Sequence, residues 1–200
     1  MNNVYEYYQK ASEYVRKNYL GEFEYFRDLK IKNLEQFSEK EFLGEFAWVV
    51  FTSGFKVARV ESKWEELEKA FNGFDPNKIN EKSVRSAMQI INHEGKCMAV
   101  LKCAKLINKN GFKEFKKKHL TNEDSMEKLP FIGPVTKYLL ARNLGMDKVK
   151  PDRWIVRISR NFKFHDHEEM CKKISEKTGD KIGLIDYVLW RYASDTKKTE

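Results

Sequence analysis

The sequence is poor in proline, in cysteine and in long apolar runs. It has 4 prolines and 3 cysteines in 200 residues. Proline interrupts helices, so its scarcity, together with apolar residues that recur at helical spacing, predicts an all-α protein. The longest apolar run, residues 46–51, is much shorter than the roughly 20 residues that a membrane span needs. We therefore expect buried helices and no membrane partner.

The cysteines are too few and too far apart to build a metal centre. Cys97, Cys103 and Cys171 form no CxxC pair, which excludes a zinc ribbon and a four-cysteine iron–sulfur loop. His165 and His167 lie near Cys171 but lack a fourth ligand at a suitable spacing. No basic segment followed by an apolar one opens the chain, so no signal peptide is predicted. We expect no metal and a reduced, cytoplasmic location at the nucleoid.

Positive charge is what the sequence has in excess. Lys and Arg number 38 against 30 Asp and Glu, which gives a net charge of +8 and an isoelectric point of about 9.2. A cationic side chain placed on a phosphate group releases condensed counterions, which favours binding to nucleic acid. The hydrophobic content of 41% is enough for a sizeable core. The composition thus favours a polyanionic partner.

Capping signals and apolar spacing define the expected helices. Ser38, with Glu41 three residues later, is a capping box and predicts a helix that begins after Ser38. Gly179 and Gly183 are expected to divide the C-terminal helical region. Further helices are expected at residues 4–19, 22–34, 83–92, 95–108 and 168–192, and a short extended run at 148–150.

The segment Leu129-Pro-Phe-Ile-Gly133-Pro-Val-Thr136 predicts a tight turn between two helices. Pro134 suits the first position of the second helix, where a missing N–H costs nothing. Gly133 lets the backbone turn and lets another molecule come close. The amides of Gly133 and Val135 would then point at a phosphate, with the helix dipole behind them, while Ile132 turns inward. The alternative is a turn that serves only the geometry of a helix bundle.

The chain that follows carries the more specific pattern, Pro151-Asp152-Arg-Trp-Ile-Val-Arg157. The hairpin and this segment, at this separation, resemble the helix-hairpin-helix DNA glycosylase superfamily, which includes endonuclease III, 8-oxoguanine glycosylase and the alkylbase glycosylases. There an L-P-G-V-G hairpin precedes a V-D-x-H-x-x-R segment whose aspartate is catalytic. The resemblance implies a two-lobe all-α fold with one lobe from residues 1–45 and 160–200. Residues 46–159 would form the other lobe, with the hairpin at 126–142 and the catalytic loop.

Two upstream stretches add to the resemblance. Residues 53–59 are similar to 8-oxoguanine glycosylase, and residues 70–76 with 91–96 are similar to 3-methyladenine DNA glycosylase I. The first stretch lies where family members insert a wedge into the DNA, so the resemblance implies lesion contacts for Phe55, Lys56 and Arg59. Trp154, where many members have histidine, is a further candidate for the lesion pocket.

Asp152 is the expected catalytic residue. Cleavage of an N-glycosidic bond builds positive charge on the sugar, and a fixed carboxylate stabilises that charge more than it stabilises the neutral ground state. The other interpretation is a helix N-cap, since an aspartate before an apolar helix is a good cap. The two roles are compatible.

The resemblance also bears on whether the enzyme cleaves the DNA strand after it removes the base. Bifunctional members carry a lysine two residues after the hairpin glycine, where this chain has Val135. Lys137 lies about 200° around the helix from that position, so we expect a phosphate-binding or solvent-facing amine and a monofunctional enzyme. The alternatives are a bifunctional glycosylase/lyase and a non-catalytic DNA-binding protein.

The expected partner is double-stranded DNA with an alkylated or oxidised purine, bound by a monomer. No organic cofactor and no iron–sulfur cluster are expected, although a monovalent cation at the hairpin is compatible with the resemblance. The expected DNA-binding residues are Ile132, Gly133, Val135, Thr136 and Lys137.

Overall fold

The computed structural model describes residues 3–28, 37–146 and 148–200, and every regular element in these ranges is a helix. The predicted all-α class is confirmed. In chain order the helices are α1 (Val4–Asn18), α2 (Leu20–Asp28), α3 (Glu39–Thr52), α4 (Val57–Glu61), α5 (Trp64–Ala70), α6 (Glu81–Ile90), α7 (Glu94–Asn110), α8 (Phe112–His119), α9 (Glu123–Met126), α10 (Thr136–Asn143), α11 (Arg153–Asn161), α12 (His167–Thr178) and α13 (Ile182–Thr196). Within the described ranges, no helix is long and apolar enough to cross a bilayer.

Several helix ends follow from local sequence signals. The capping box of Ser38 and Glu41 is present at the start of α3, as predicted. Helix α12 ends at Gly179, whose φ of 76° is the left-handed conformation that glycine adopts without strain. Helix α13 begins at Ile182, so the predicted division near Gly179 and Gly183 is present, with Gly183 in the first turn of α13. The predicted extended run at 148–150 is irregular, and residues 29–34 of the second predicted helix lie outside the described ranges.

The chain divides into two compact units. The terminal unit consists of Met1–Ile31 and Gly145–Glu200. Its centre is α13, which packs against α1, α11 and α12. The core includes Val15, Ile158 and Val188, all fully buried.

The central unit consists of Lys32–Leu144. Here α3 packs against α7 and α10, and α6 packs against α5 and α7. The apolar face of α3 buries Phe42, Phe46 and Phe51 completely. Burial of a phenylalanine side chain stabilises a fold by about 1.5–3 kcal/mol, so these rings are a large part of what fixes α3 in the unit.

The division differs from the predicted boundaries at 45/46 and 159/160. Helix α3 belongs entirely to the central unit because its apolar face packs on α7. The loop and helix that carry Asp152 belong to the terminal unit, because Ile155 and Ile158 of α11 are buried in the core around α13. A helix joins the unit that covers its apolar face.

Candidate functional site

Asp152 immediately precedes α11 and caps it. Its Oδ1 atom accepts hydrogen bonds from the backbone N–H groups of Trp154, at 2.8 Å, and Ile155, at 3.2 Å. The side chain is half-buried. Among the described residues, none donates a hydrogen bond to Oδ2. The capping interpretation is confirmed, and it leaves one carboxylate oxygen for another contact.

A buried carboxylate holds the loop that presents Asp152. Asp186, on α13, is 1% exposed, and its Oδ2 accepts a hydrogen bond of 3.4 Å from the backbone N–H of Lys150. The carbonyl oxygen of Lys150 in turn accepts the backbone N–H of Asp152 at 2.7 Å. The sequence analysis missed Asp186, although an aspartate within the apolar run Ile185-Asp-Tyr-Val188 is a signal for a buried polar contact.

Trp154 lies next to Asp152 in a positively charged environment. Trp154 is 9% exposed. Among the described residues, three cations lie near its ring: the guanidinium carbons of Arg153 and Arg157 at 5.1 and 5.6 Å from the ring centre, and Lys197 Nζ at 5.2 Å. These distances are within the range of cation–π attraction. The lesion-pocket role of Trp154 stays a prediction, and the cluster of cations favours an anionic ligand near α11.

The hairpin joins α9 to α10 in the central unit. Ile132 is buried, as predicted, with 6% of its surface exposed. The N–H of Gly133 donates to Thr136 Oγ1 at 2.8 Å, which corrects the expectation that this amide faces a phosphate. Helix α10 begins at Thr136 rather than at Pro134. Among the described residues, none accepts the backbone N–H of Val135 or Thr136, so these two amides are the ones that could bind an anion.

The structure corrects the expected position of Lys137. Its side chain is only 11% exposed, and Nζ forms ion pairs of 2.6 Å with Asp124 and 2.7 Å with Glu127. Hydrogen bonds to these two carboxylates raise the pKa of the Lys137 ammonium. The amine is therefore neither solvent-facing nor available to a phosphate, because Asp124 in α9 and Glu127 directly after α9 neutralise its charge.

The predicted wedge residues lie in and after the loop between α3 and α4. Lys56 and Arg59 are exposed, and Phe55 is half-buried. The guanidinium carbon of Arg59 lies 5.1 Å from the ring centre of Phe55. These placements leave both cations accessible to a ligand. Their contacts with a lesion stay predictions.

Lys96 is a residue that the sequence analysis missed. It is 2% exposed, and its amine donates hydrogen bonds to the carbonyl oxygens of Val50 and Ser53 at the end of α3. Burial lowers the pKa of the ammonium to about 8. A lysine is rarely buried without an acidic partner, and no feature of the sequence distinguishes this one from the exposed lysines.

No metal centre is evident in the described part of the chain. Residues 3–28, 37–146 and 148–200 contain no group of three or more His, Cys, Asp or Glu side chains that could hold an ion. The three cysteines are buried, and burial raises the pKa of the Cys97 thiol to about 11. Such thiols are poorly reactive.

The chain is similar to known proteins in structure over nearly its whole length. No protein-family model and no curated protein matches the sequence. Solved structures similar to this one include the 8-oxoguanine glycosylase/lyase of Methanocaldococcus jannaschii in complex with a 15mer DNA containing 8-oxoguanine. It has 16% sequence identity and a TM-score of 0.66 over 96% of this chain and 98% of that one.

A second similar structure is the 8-oxoguanine DNA glycosylase of Thermotoga maritima. It has 18% identity and a TM-score of 0.64 over 99% of this chain and 100% of that one. The fold implied by the hairpin and the Asp152 segment is thus confirmed. The chain has the same all-α fold as these two DNA glycosylases.

Proposed function

We propose that this protein is a DNA glycosylase that removes a damaged purine and has Asp152 as its catalytic carboxylate. The observation that carries the proposal is the hydrogen bonding of the two carboxylate oxygens of Asp152. One oxygen is engaged as the cap of α11, which fixes the side chain, and Oδ2 has no hydrogen bond within the described residues. The fold and the two unengaged amides at the start of α10 support it.

The proposed reaction is hydrolysis of the bond between the purine nitrogen and C1′ of the deoxyribose. The base leaves with the bonding electron pair and takes up a proton, and water adds to C1′. The sugar passes through an oxocarbenium-like state, whose charge the carboxylate of Asp152 stabilises. The target base must first leave the helical stack. Amides at the start of α10 would hold a backbone phosphate of the same DNA.

We propose that the enzyme is monofunctional. Formation of a Schiff base requires a neutral amine that can reach the sugar. Val135 occupies the position of the family's lysine, and Lys137 is held in its charged form by Asp124 and Glu127. Water is then the proposed nucleophile, and the product is an abasic site in an intact strand.

Lys96 supports a second candidate function, a bifunctional glycosylase/lyase. Its pKa of about 8 gives it a larger neutral fraction near neutral pH than an ordinary lysine has. Against this role stand its 2% exposure and its hydrogen bonds to Val50 and Ser53. Borohydride trapping on a damaged duplex separates the two functions. A covalent adduct that is formed by wild type and lost in Lys96→Met, but kept in Lys137→Met, would establish the lyase.

We propose oxidised guanine as the first substrate to test and alkylated purines as the second. Both similar structures are of 8-oxoguanine glycosylases. Duplexes with 8-oxoguanine, 3-methyladenine or no lesion are incubated with wild type and Asp152→Asn, and free base and strand breaks after alkali are measured. We expect excision by wild type and a loss of at least about a hundredfold in the variant.

The variant suits this test because asparagine is as good an N-cap as aspartate, so a loss of activity is not a loss of fold. Wild type that binds the damaged duplexes tightly but releases no base would instead establish a non-catalytic DNA-binding protein. Excision that is undiminished in Asp152→Asn would remove this residue from the mechanism.

A further inference from the structure

Phe131, in the hairpin turn, has an unusual backbone conformation. Its φ is 66°, in the left-handed region that a bulky side chain rarely adopts. The side chain is also exposed to 44%, so burial of the ring does not offset the strain. Strain of this kind is often retained where a side chain has a function. The L-P-G-V-G hairpins that this turn resembles carry glycine here, which adopts the conformation freely.

The ring of Phe131 belongs to a defined aromatic cluster with Phe55 and His93. The imidazole lies 5.9 Å from the ring centre of Phe55 and 5.7 Å from that of Phe131, and it is nearly perpendicular to both. Gly95 lets Phe131 approach α7, since an added Cβ there would lie 3.3 Å from the ring. The cluster therefore brings the hairpin turn and the loop after α3 to one place in the central unit.

Lys96 contacts both phenyl rings of this aromatic cluster. Its Nζ lies 4.9 Å from the ring centres of both Phe55 and Phe131. The same amine binds the end of α3 through the carbonyl oxygens of Val50 and Ser53. One buried cation thus contacts both phenyl rings. Because these contacts already restrict the ring of Phe131, it loses less conformational entropy when it binds a ligand.

The surroundings of Phe131 fit DNA. The amides of Val135 and Thr136 lie in the same hairpin and are suited to a phosphate, and Lys56 and Arg59 are exposed beside Phe55. An exposed aromatic ring next to phosphate-binding groups is a stacking platform for a nucleic-acid base. A base whose neighbour has left the helical stack presents a free face of the right size.

We propose that Phe131 stacks on a DNA base that loses its stacking partner when the target nucleotide leaves the duplex. This inference rests on the proposed glycosylase function and deepens it, because it assigns a base-contacting residue to a hairpin otherwise suited to phosphate. His93 packs against the ring of Phe131, and the amine of Lys96 lies within cation–π distance of it.

The experiment compares binding to two duplexes of the same length, one undamaged and one with a tetrahydrofuran abasic analogue. The analogue leaves a gap in the stack and cannot be cleaved by a glycosylase, so catalysis does not enter the measurement. We expect wild type to prefer the gapped duplex. Phe131→Leu, which keeps the backbone strain and the apolar bulk but lacks a ring, should lose about 5- to 100-fold of that preference.

Three further variants complete the design. Phe131→Trp should keep the preference, and Phe131→Gly should lose it with Tm nearly unchanged, since glycine adopts this φ without strain. Leu20→Ala removes another exposed apolar side chain, 54% exposed in the terminal unit, and should change nothing. 2-Aminopurine beside the analogue should be quenched by wild type and by Phe131→Trp but not by Phe131→Leu.

The outcomes separate this inference from the proposed function. In one outcome, wild type prefers the gapped duplex, and Phe131→Leu and Phe131→Gly both retain that preference. This result would overturn the stacking role and leave the proposed glycosylase function intact. Wild type that binds the two duplexes equally would contradict the stacking role and count against the proposed function as well. Base excision by wild type, measured separately, then decides whether the proposed function stands alone.

Discussion

At the scale of single residues, Asp152 combines a structural and a chemical role in different atoms. Oδ1 caps α11 through Trp154 and Ile155, and Oδ2 is unengaged within the described residues. A side chain fixed at one oxygen loses little conformational freedom when the other meets a ligand. The cap therefore prepares the carboxylate for its proposed role.

The two roles of Asp152 can be separated by substitution. Asp152→Ala should lower the free energy of unfolding by about 1 kcal/mol because the cap is lost, whereas Asp152→Asn should leave it nearly unchanged. Both should lose base excision. Denaturant unfolding of the three proteins measures the difference, and equal stabilities of Asp152→Ala and wild type would mean that the cap contributes nothing.

Lys96 should make stability depend on pH in a predictable direction. Burial lowers its folded pKa to about 8, against about 10.4 in the unfolded chain. Between these values the unfolded state binds more protons, so the stability of the folded state rises with pH. Below pH 8 burial of the charged amine lowers the free energy of unfolding by its full amount, and above about pH 10.4 this destabilisation is absent.

Lys96→Met tests this dependence. The difference in unfolding free energy between wild type and the variant should shift in favour of wild type by up to about 3 kcal/mol from pH 7 to 11. Taking the difference cancels the titration of all other groups. A difference that is flat with pH would show that the amine is solvated in the folded protein.

At the scale of elements, the hairpin depends on one side-chain hydrogen bond. Thr136 Oγ1 accepts the N–H of Gly133 and also donates to the Gly133 carbonyl oxygen at 3.3 Å. The hydroxyl thus closes the turn that places the amides of Val135 and Thr136 at the start of α10. A turn closed in this way is set before any ligand arrives.

Removal of this hydroxyl should loosen the turn. Thr136→Val keeps the shape of the side chain but loses both hydrogen bonds, so we expect a loss of about 1 kcal/mol in unfolding free energy and weaker DNA binding. Thr136→Ser keeps the hydroxyl and serves as the matched control. Thr136→Val with the stability and DNA affinity of Thr136→Ser would contradict this account.

Sequence reasoning reaches these elements unevenly. The capping box at Ser38 and the stop at Gly179 were predictable because local chemistry decides them. Lys137 was placed wrongly because its partners Asp124 and Glu127 come together only once the hairpin has closed.

At the scale of the whole molecule, the all-α class follows from composition and periodicity, and the fold follows from the hairpin and the Asp152 segment. The unit boundaries do not follow, because an amphipathic helix such as α11 shows that it has a buried face but not which core will bury it. Lys96 and Asp186 were hidden for a related reason: the burial of a polar side chain is decided by contacts distant in sequence.

The excess of basic residues leads to a prediction for the entire protein. With a net charge of +8, binding to undamaged DNA should consist mainly of phosphate contacts. Its affinity should fall at least about tenfold between roughly 50 and 200 mM salt, linearly on a double-logarithmic scale. Titrations at four salt concentrations measure the slope, and an affinity independent of salt would exclude this mode of binding.

Because all three native thiols are buried, the folded protein should not react with maleimides. A single cysteine introduced in place of Val135, which is 38% exposed, should therefore react alone in the folded protein. A fluorophore attached there would report the arrival of DNA at the hairpin directly. Prior binding of a duplex should slow the labelling reaction, which mass spectrometry can follow with wild type as the unlabelled reference.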